Sequence, residues 1–175
     1  IRWLPFFLNP DTPEAGEPYR PFLERKFGGP EKLAQIWGQV SEAGRSAGIA
    51  FAFERIETRA NTLKAHRLIH RAQARGDADA LVERLFAAQF LRGENVGDAA
   101  VLARLAAECG EGEAETLAYL RSDEDAAAVR AGFERAQQMG ITGVPFFILA
   151  GRYGVGGAQP PELMLDALRQ ALEPA

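Results

Sequence analysis

The sequence predicts an α/β protein in which a long run of helices interrupts a smaller part built from strands and helices. Three observations support this prediction. Strand-like apolar runs occupy residues 1–8 and 49–56, and about eighty residues with helical periodicity follow them. A β-hairpin pattern and a last helix come after Gly140.

The first part of the chain alternates between strand and helix patterns. Residues 1–8 are apolar and aromatic, and residues 49–56 alternate with period two, so both runs predict strands. The proline-rich stretch 9–18 predicts a loop. From Pro30, apolar residues recur at helical spacing until the glycines of 44–48, which predicts one amphipathic helix.

Four or five short helices are predicted between residues 57 and 139. Asn61 or Thr62 can cap the first of them, which Gly76 ends, and Asp98 can cap a later one. No period repeats along this stretch, which argues against a solenoid. The helices therefore predict one all-helical block.

Helical periodicity gives way to short apolar runs after this block. Residues 146–150 form an apolar run, residues 151–152 a turn and residues 153–155 a second short run, which together predict a β-hairpin. The two prolines at 160–161 then begin a terminal helix.

Composition excludes several classes of function. The chain has 175 residues, with 20 Lys+Arg against 24 Asp+Glu and a formal net charge of −4, which argues against binding to nucleic acid. Its only cysteine, Cys109, excludes an internal disulfide and any cysteine-rich metal site. No stretch approaches the roughly 20 apolar residues of a membrane-spanning helix, so we expect no membrane partner.

The segment Gly143-Val144-Pro145 is the most informative candidate site. The cis form of an X–Pro bond costs only about 0.5–1 kcal/mol, so a cis bond is accessible here, the alternative being a trans proline in an ordinary loop. A cis bond would leave the N–H and C=O of Val144 at a free edge. An extended peptide or a tripeptide thiol could pair antiparallel with them there.

Four segments, in order, carry a likeness to a known family. They are residues 7–11 (FLNPD), 61–66 (NTLKAH), 143–147 (GVPFF) and 156–159 (GGAQ). They resemble the DsbA-family oxidoreductases of the FrnE type, which are relatives of 2-hydroxychromene-2-carboxylate isomerase and kappa-class glutathione transferase. The likeness spans nearly the whole chain. It implies a thioredoxin-like core at 1–56 and 140–175, with an all-helical insertion at 57–139.

The resemblance also implies where the reactive group lies. In the family, a first strand and an active-site helix with a Cys-x-x-Cys or serine-type motif come before the position of Ile1. We therefore expect these elements to precede this sequence, which begins without Met in an apolar run. A helix N-terminus favours the thiolate, the species that attacks a disulfide. By resemblance, Val144 and Pro145 face that group and, with Gly143, hold the substrate.

A second substrate-binding segment is implied at Gly157, Ala158 and Gln159. In the glutathione-using relatives, the corresponding loop holds the γ-glutamyl end of glutathione. Those relatives have a Ser-Asp pair where this chain has Ala158 and Gln159. The missing carboxylate is the natural partner of an ammonium group, so its absence weakens the case for glutathione.

Asn61, Thr62 and His66 stand where the first inserted helix begins. They could be a helix cap and a satisfied polar side chain. They could instead line a groove between the insertion and the core, where His66 would stabilise a thiolate or move a proton. His70 shares a helix face with His66, but no third ligand accompanies the pair, so we predict no metal site.

The remaining conspicuous side chains are predicted to be structural. Cys109 continues the apolar stripe of its helix and should be buried. Four arginines are expected on a solvated helix face: Arg59, Arg67, Arg71 and Arg75. Eight aromatic residues are expected in the core: Trp3, Phe6, Phe7, Trp37, Phe86, Phe90, Phe146 and Phe147.

Together these observations predict a DsbA-family thiol–disulfide oxidoreductase whose catalytic motif precedes Ile1. Two alternatives remain open: a glutathione-dependent isomerase, and a non-catalytic module that binds peptides. The expected partners are a disulfide-containing protein or a small thiol, with a second copy of the chain as a further candidate. No cofactor is required, although glutathione remains a candidate. We expect a cytoplasmic location.

Overall fold

A computed structural model describes residues 1–173 of the chain, and within them it contains eight α-helices and four short strands. The strands are β1 (Glu17–Pro18), β2 (Thr58–Arg59), β3 (Phe146–Leu149) and β4 (Tyr153–Gly156). The helices are α1 (Tyr19–Phe27), α2 (Pro30–Ser46), α3 (Leu63–Arg75), α4 (Asp79–Ala87), α5 (Ala99–Ala107), α6 (Glu113–Arg121), α7 (Ala126–Gln138) and α8 (Pro161–Leu172). Residues 174 and 175, which the sequence assigns to the core, lie outside the described part.

The strand predicted at residues 1–8 is wrong, since this segment joins no sheet. Its backbone bonds to a side chain instead: Trp3 N donates to Gln73 Oε1 at 2.6 Å, and Gln73 Nε2 donates to the Trp3 carbonyl at 3.0 Å. The rings of Phe6 and Phe7 pack against Phe133 of α7, with centroids 5.4 and 4.9 Å away. The segment therefore lies against the helices.

The strand predicted at residues 49–56 is also wrong. A short 3₁₀ turn, Phe53–Arg55, lies where the strand was expected. The period-two pattern comes from Phe51 and Phe53, whose rings stack on each other with centroids 5.0 Å apart, and Phe53 also stacks on Trp37. Aromatic stacking, rather than strand pairing, accounts for the alternation.

The sequence analysis missed helix α1, because the prolines around it obscure the helical pattern. Pro18 lies just before the helix and Pro21 within its first turn, where a missing N–H removes no helical hydrogen bond. β1 pairs antiparallel with β2, so α1 begins beside the two-stranded sheet.

The helical block predicted after residue 57 is confirmed, with helices α3–α7 between residues 63 and 138. Its core is apolar and fully buried at Leu102, Leu105 and Leu120, on the facing helices α5 and α6. The predicted cap at Asp98 is also confirmed, since its Oδ1 accepts from the N–H of Ala100 at 2.8 Å. Cys109, however, is exposed, because α5 ends at Ala107 and the apolar stripe does not reach the thiol.

Three of the four arginines predicted on a solvated face are buried: Arg59, Arg67 and Arg71. Arg67, only 2% exposed, donates from Nε to the Glu124 carbonyl at 2.6 Å and from Nη2 to the Tyr119 carbonyl at 2.8 Å. The last carbonyls of a helix lack partners within it. Arg67 therefore donates to carbonyls at and just beyond the end of α6, and these bonds make its burial tolerable. The Tyr119 carbonyl also accepts from Ser122 N at 3.1 Å.

The predicted C-terminal hairpin is confirmed, with Phe146 opposite Gly156 and Leu149 opposite Tyr153. Its aromatic residues are less buried than predicted, since Phe146 and Phe147 are both more than a third exposed. Among the described strands, β3 pairs with β4 alone, so little covers these rings. Phe86, also predicted as core, is exposed as well.

Replacing Arg67 by alanine should lower the free energy of unfolding by about 3 kcal/mol, because it removes a buried side chain together with its hydrogen bonds to the carbonyls of Tyr119, Leu120 and Glu124. Arg130→Ala, at an exposed position on α7, is the matched control and should change the stability by less than about 0.5 kcal/mol. Urea unfolding of both variants measures the difference. Equal effects would contradict a role for Arg67 in holding α6.

Candidate functional site

The loop between α7 and β3 forms one wall of an open groove of about 330 Å³, which we call the Val144 groove. Its lining residues are Gly140, Thr142, Gly143, Val144, Pro145, Phe146, Gly156 and Gly157. None of these side chains carries a charge. The groove can thus offer apolar contacts, one hydroxyl and backbone polar groups to a ligand.

Val144 combines an exposed side chain with an unpaired backbone. Its side chain is 49% exposed, and neither its N–H nor its C=O has a hydrogen-bond partner among residues 1–173. The Val144–Pro145 peptide bond is cis. The Pro145 carbonyl is already occupied, since Gly157 N donates to it at 2.8 Å. Val144 therefore has both backbone groups available to a ligand, as do its neighbours Thr142 and Gly143.

The second predicted binding segment lies only partly in this groove. Gly157 lines it with a positive φ of 80°, a conformation that favours glycine. Ala158 and Gln159 are exposed, and Gln159 Nε2 donates to the Gly156 carbonyl at 2.8 Å. The Gln159 amide group is thus bonded within its own loop.

Asn61, Thr62 and His66 share no wall with the Val144 groove. Asn61 Nδ2 donates to the Thr12 carbonyl at 2.7 Å, and its Oδ1 accepts from Leu63 N at 3.1 Å. Thr62 stands just before α3, and its side chain makes no capping bond. These contacts fasten the beginning of α3 to the loop that contains Thr12.

His66 lies in the first turn of α3 and faces the N-terminal segment. Its ring meets that of Phe7 edge to face at 5.2 Å. Burial lowers the pKa of His66 to about 4, against the opposing effect of a hydrogen bond to the backbone of Phe6. The imidazole is therefore neutral at pH 7 and provides no positive charge for a thiolate.

The structure adds four groove residues that were not predicted as site residues: Gly140, Thr142, Phe146 and Gly156. The hairpin pattern carried a signal for Gly156, because its register places this residue opposite Phe146. Within residues 1–173, no cluster of three His, Cys, Asp or Glu side chains could hold a metal ion.

Comparison with known proteins settles the family. The family model of the DSBA-like thioredoxin domain matches residues 1–169. The chain belongs to the DsbA family. This result confirms the predicted family and the predicted thioredoxin-like fold with a helical insertion.

Two solved structures resemble this DsbA-family chain. A "probable DsbA oxidoreductase" from Streptomyces coelicolor is 34% identical, with a TM-score of 0.82 over 95% of this chain and 72% of that chain. A "putative protein disulfide isomerase" from Nitrosomonas europaea is 26% identical, with a TM-score of 0.65 over 82% of this chain and 72% of that chain. No curated protein matches the chain.

Family membership supports a function in thiol–disulfide oxidoreduction, on thiol or disulfide substrates. The closer relation to the FrnE type and to the isomerases stays a prediction. Among the described residues, no helix is long and apolar enough to cross a membrane.

The low pKa of His66 predicts a pH-dependent stability. Between the ordinary histidine pKa of 6.5 and about 4, the unfolded chain binds a proton at this site that the folded chain does not bind. The free energy of unfolding should therefore fall as the pH is lowered through this window. His66→Gln should reduce the difference in stability between pH 7 and pH 5, as measured by urea unfolding.

His70→Gln is the matched control for this prediction, since the His70 side chain is 47% exposed. It should change the difference in stability between pH 7 and pH 5 by less than His66→Gln does. NMR titration of the two imidazoles gives the direct readout, and a His66 pKa near 6.5 would contradict the prediction.

Proposed function

We propose that this chain is the substrate-binding part of a protein thiol–disulfide oxidoreductase, and that the Val144 groove receives an extended segment of the substrate. The observation that carries the proposal is the unpaired backbone of Val144 beside an apolar wall. The sulfur chemistry of the proposal is inferred from the family, and its substrate class is inferred from the groove.

The groove has the features of a site for strand addition. A bound segment that runs antiparallel to the chain can donate to the Val144 carbonyl and accept from its N–H. Phe146, which is 37% exposed, and the Val144 side chain offer apolar surface to alternate side chains of that segment. An uncharged lining suits a segment of unfolded polypeptide, because main-chain bonds do not depend on the substrate's charge.

The dithiol of the reaction is proposed to lie upstream of Ile1. Cys109 is the only cysteine of this sequence, and it is exposed just beyond the end of α5. One thiol alone cannot close an internal disulfide, and so it cannot supply in that way the two electrons that reduce a substrate disulfide. In the proposed reaction, an upstream thiolate attacks a substrate disulfide and displaces one substrate thiolate, which takes up a proton. A second upstream thiol then breaks the mixed disulfide, so the enzyme dithiol is oxidised and the substrate reduced; protein oxidation is the reverse.

A glutathione-dependent isomerase receives less support from the groove. The loop Gly157–Gln159 presents no carboxylate, and the Gln159 amide donates to its own backbone. The ammonium group of glutathione would lack a charged partner at this loop. A protein disulfide therefore fits the groove better than glutathione does.

Val144→Asp should weaken the binding of an extended apolar peptide about tenfold, because it places a charge in an apolar groove. The measurement is an NMR titration of the chain with a cysteine-containing peptide whose thiol is blocked. The amide signals of Gly143 and Val144 should shift first. Val40→Asp is the matched control, since Val40 is 40% exposed on α2, outside the groove.

Equal affinities of the two variants, or shifts that map away from the groove, would contradict the proposed binding site. A separate measurement tests the sulfur chemistry: disulfide turnover by the protein extended to include the residues encoded before Ile1. Peptide binding without turnover in that extended protein would favour the non-catalytic binding module over the oxidoreductase.

A further inference from the structure

A second pocket, of about 400 Å³, lies where β1, α1 and β2 meet, and we call it the Arg59 pocket. Its lining residues are Asp11, Glu17, Phe22, Arg25, Lys26 and Arg59. None of them lines the Val144 groove. The pocket therefore has no part in the function proposed above.

Arg59 is the unusual member of this lining. Its side chain is 8% exposed, and its guanidinium lies 3.7 Å from the centroid of the Phe22 ring. Its Nη2 pairs with Glu17, but its Nε and Nη1 are buried and have no acceptor among the residues that the structure describes. Buried N–H groups of a charged side chain are rarely left without an acceptor. Two N–H groups of the Arg59 guanidinium, at the wall of the pocket, thus lack acceptors.

The charges around the pocket favour an anion. Three cationic side chains face two carboxylates in the lining. Both oxygens of Glu17 are already engaged, one by Arg59 and the other by Arg25, whose Nη2 lies 3.5 Å from Oε2. Lys26 is exposed and bonds to the uncharged Asn9 side chain at 3.2 Å. A net positive charge remains, and Asp11 is the carboxylate that opposes an incoming anion.

We propose that the Arg59 pocket binds a small oxyanion, a carboxylate or a phosphate group. Such a group can supply an acceptor oxygen to one of the two N–H groups that the buried arginine leaves unpaired, and guanidinium groups bind both kinds of oxyanion. Arg25 and Lys26 add positive charge where the pocket opens to solvent. The Phe22 ring, stacked on Arg59, holds the guanidinium in place.

The test is a titration of the chain with inorganic phosphate and, separately, with acetate, at constant ionic strength set by potassium chloride. Arginine Nε–H signals in ¹⁵N-correlated NMR spectra report the binding. We expect the Arg59 signal to shift with saturation, at a dissociation constant below about 10 mM for at least one of the two anions. The anion that binds more tightly identifies the ligand class.

Variants at the mouth of the pocket carry the test, because replacing buried Arg59 could disturb the fold. Arg25→Gln should weaken binding roughly twofold to fivefold, and Asp11→Asn should strengthen it by a similar factor. Arg20→Gln is the matched control: Arg20 is exposed on the same helix, pairs with Glu24 at 2.8 Å and lies outside the lining. The dissociation constant of the Arg20→Gln variant for each anion should equal that of the unsubstituted chain.

Two results would overturn the proposal. One is an Arg59 signal that does not shift with phosphate or with acetate at concentrations up to about 10 mM. The other is binding that responds to Arg20→Gln as strongly as to Arg25→Gln, which would indicate general screening of surface charge.

Discussion

The fold depends most on the hydrogen bonds that the buried guanidinium of Arg67 donates to backbone carbonyls. This guanidinium extends from α3 to the last carbonyls of α6 and to the carbonyl of Glu124 in the turn before α7. Tyr119 strengthens the same junction, because its hydroxyl lies 3.0 Å from the Arg67 carbonyl and 2.9 Å from Asp125 Oδ2. Burial and Asp125 raise the pKa of this phenol, so it keeps its proton. Three helices are thereby fixed relative to one another.

That junction positions both regions that the sequence marked as functional. The first turn of α3 carries His66 against Phe7, and α7 carries Phe133, on which the same phenylalanine packs. The chain then leaves α7 through the loop that forms the Val144 groove. The helical block therefore supports the groove without lending it a charged side chain. A neutral groove and a neutral histidine suit the proposed binding of a polypeptide segment.

The sequence predictions are correct where neighbours along the chain determine the structure, and they fail where distant residues determine it. The hairpin and the Asp98 cap were predictable, because neighbours along the chain determine both. Residues 1–8 were not, because their backbone bonds to Gln73, seventy residues away. The burial of Arg67 was not predictable for the same reason. Periodicity shows which residues share a helix face, but it does not show that carbonyls of a distant helix accept hydrogen bonds at that face. Within the groove, Val144 and its neighbours were found from a local motif.

The indole of Trp3 donates from Nε1 to Asp79 Oδ1 at 2.6 Å, which ties the N-terminal segment to the beginning of α4. The second tryptophan, Trp37, is stacked between Tyr19 and Phe53 in a different part of the molecule. The protein thus carries two intrinsic fluorophores in unlike surroundings. Emission from the first reports whether the leading segment stays docked, and emission from the second reports the aromatic stack, so each region can be followed without a label.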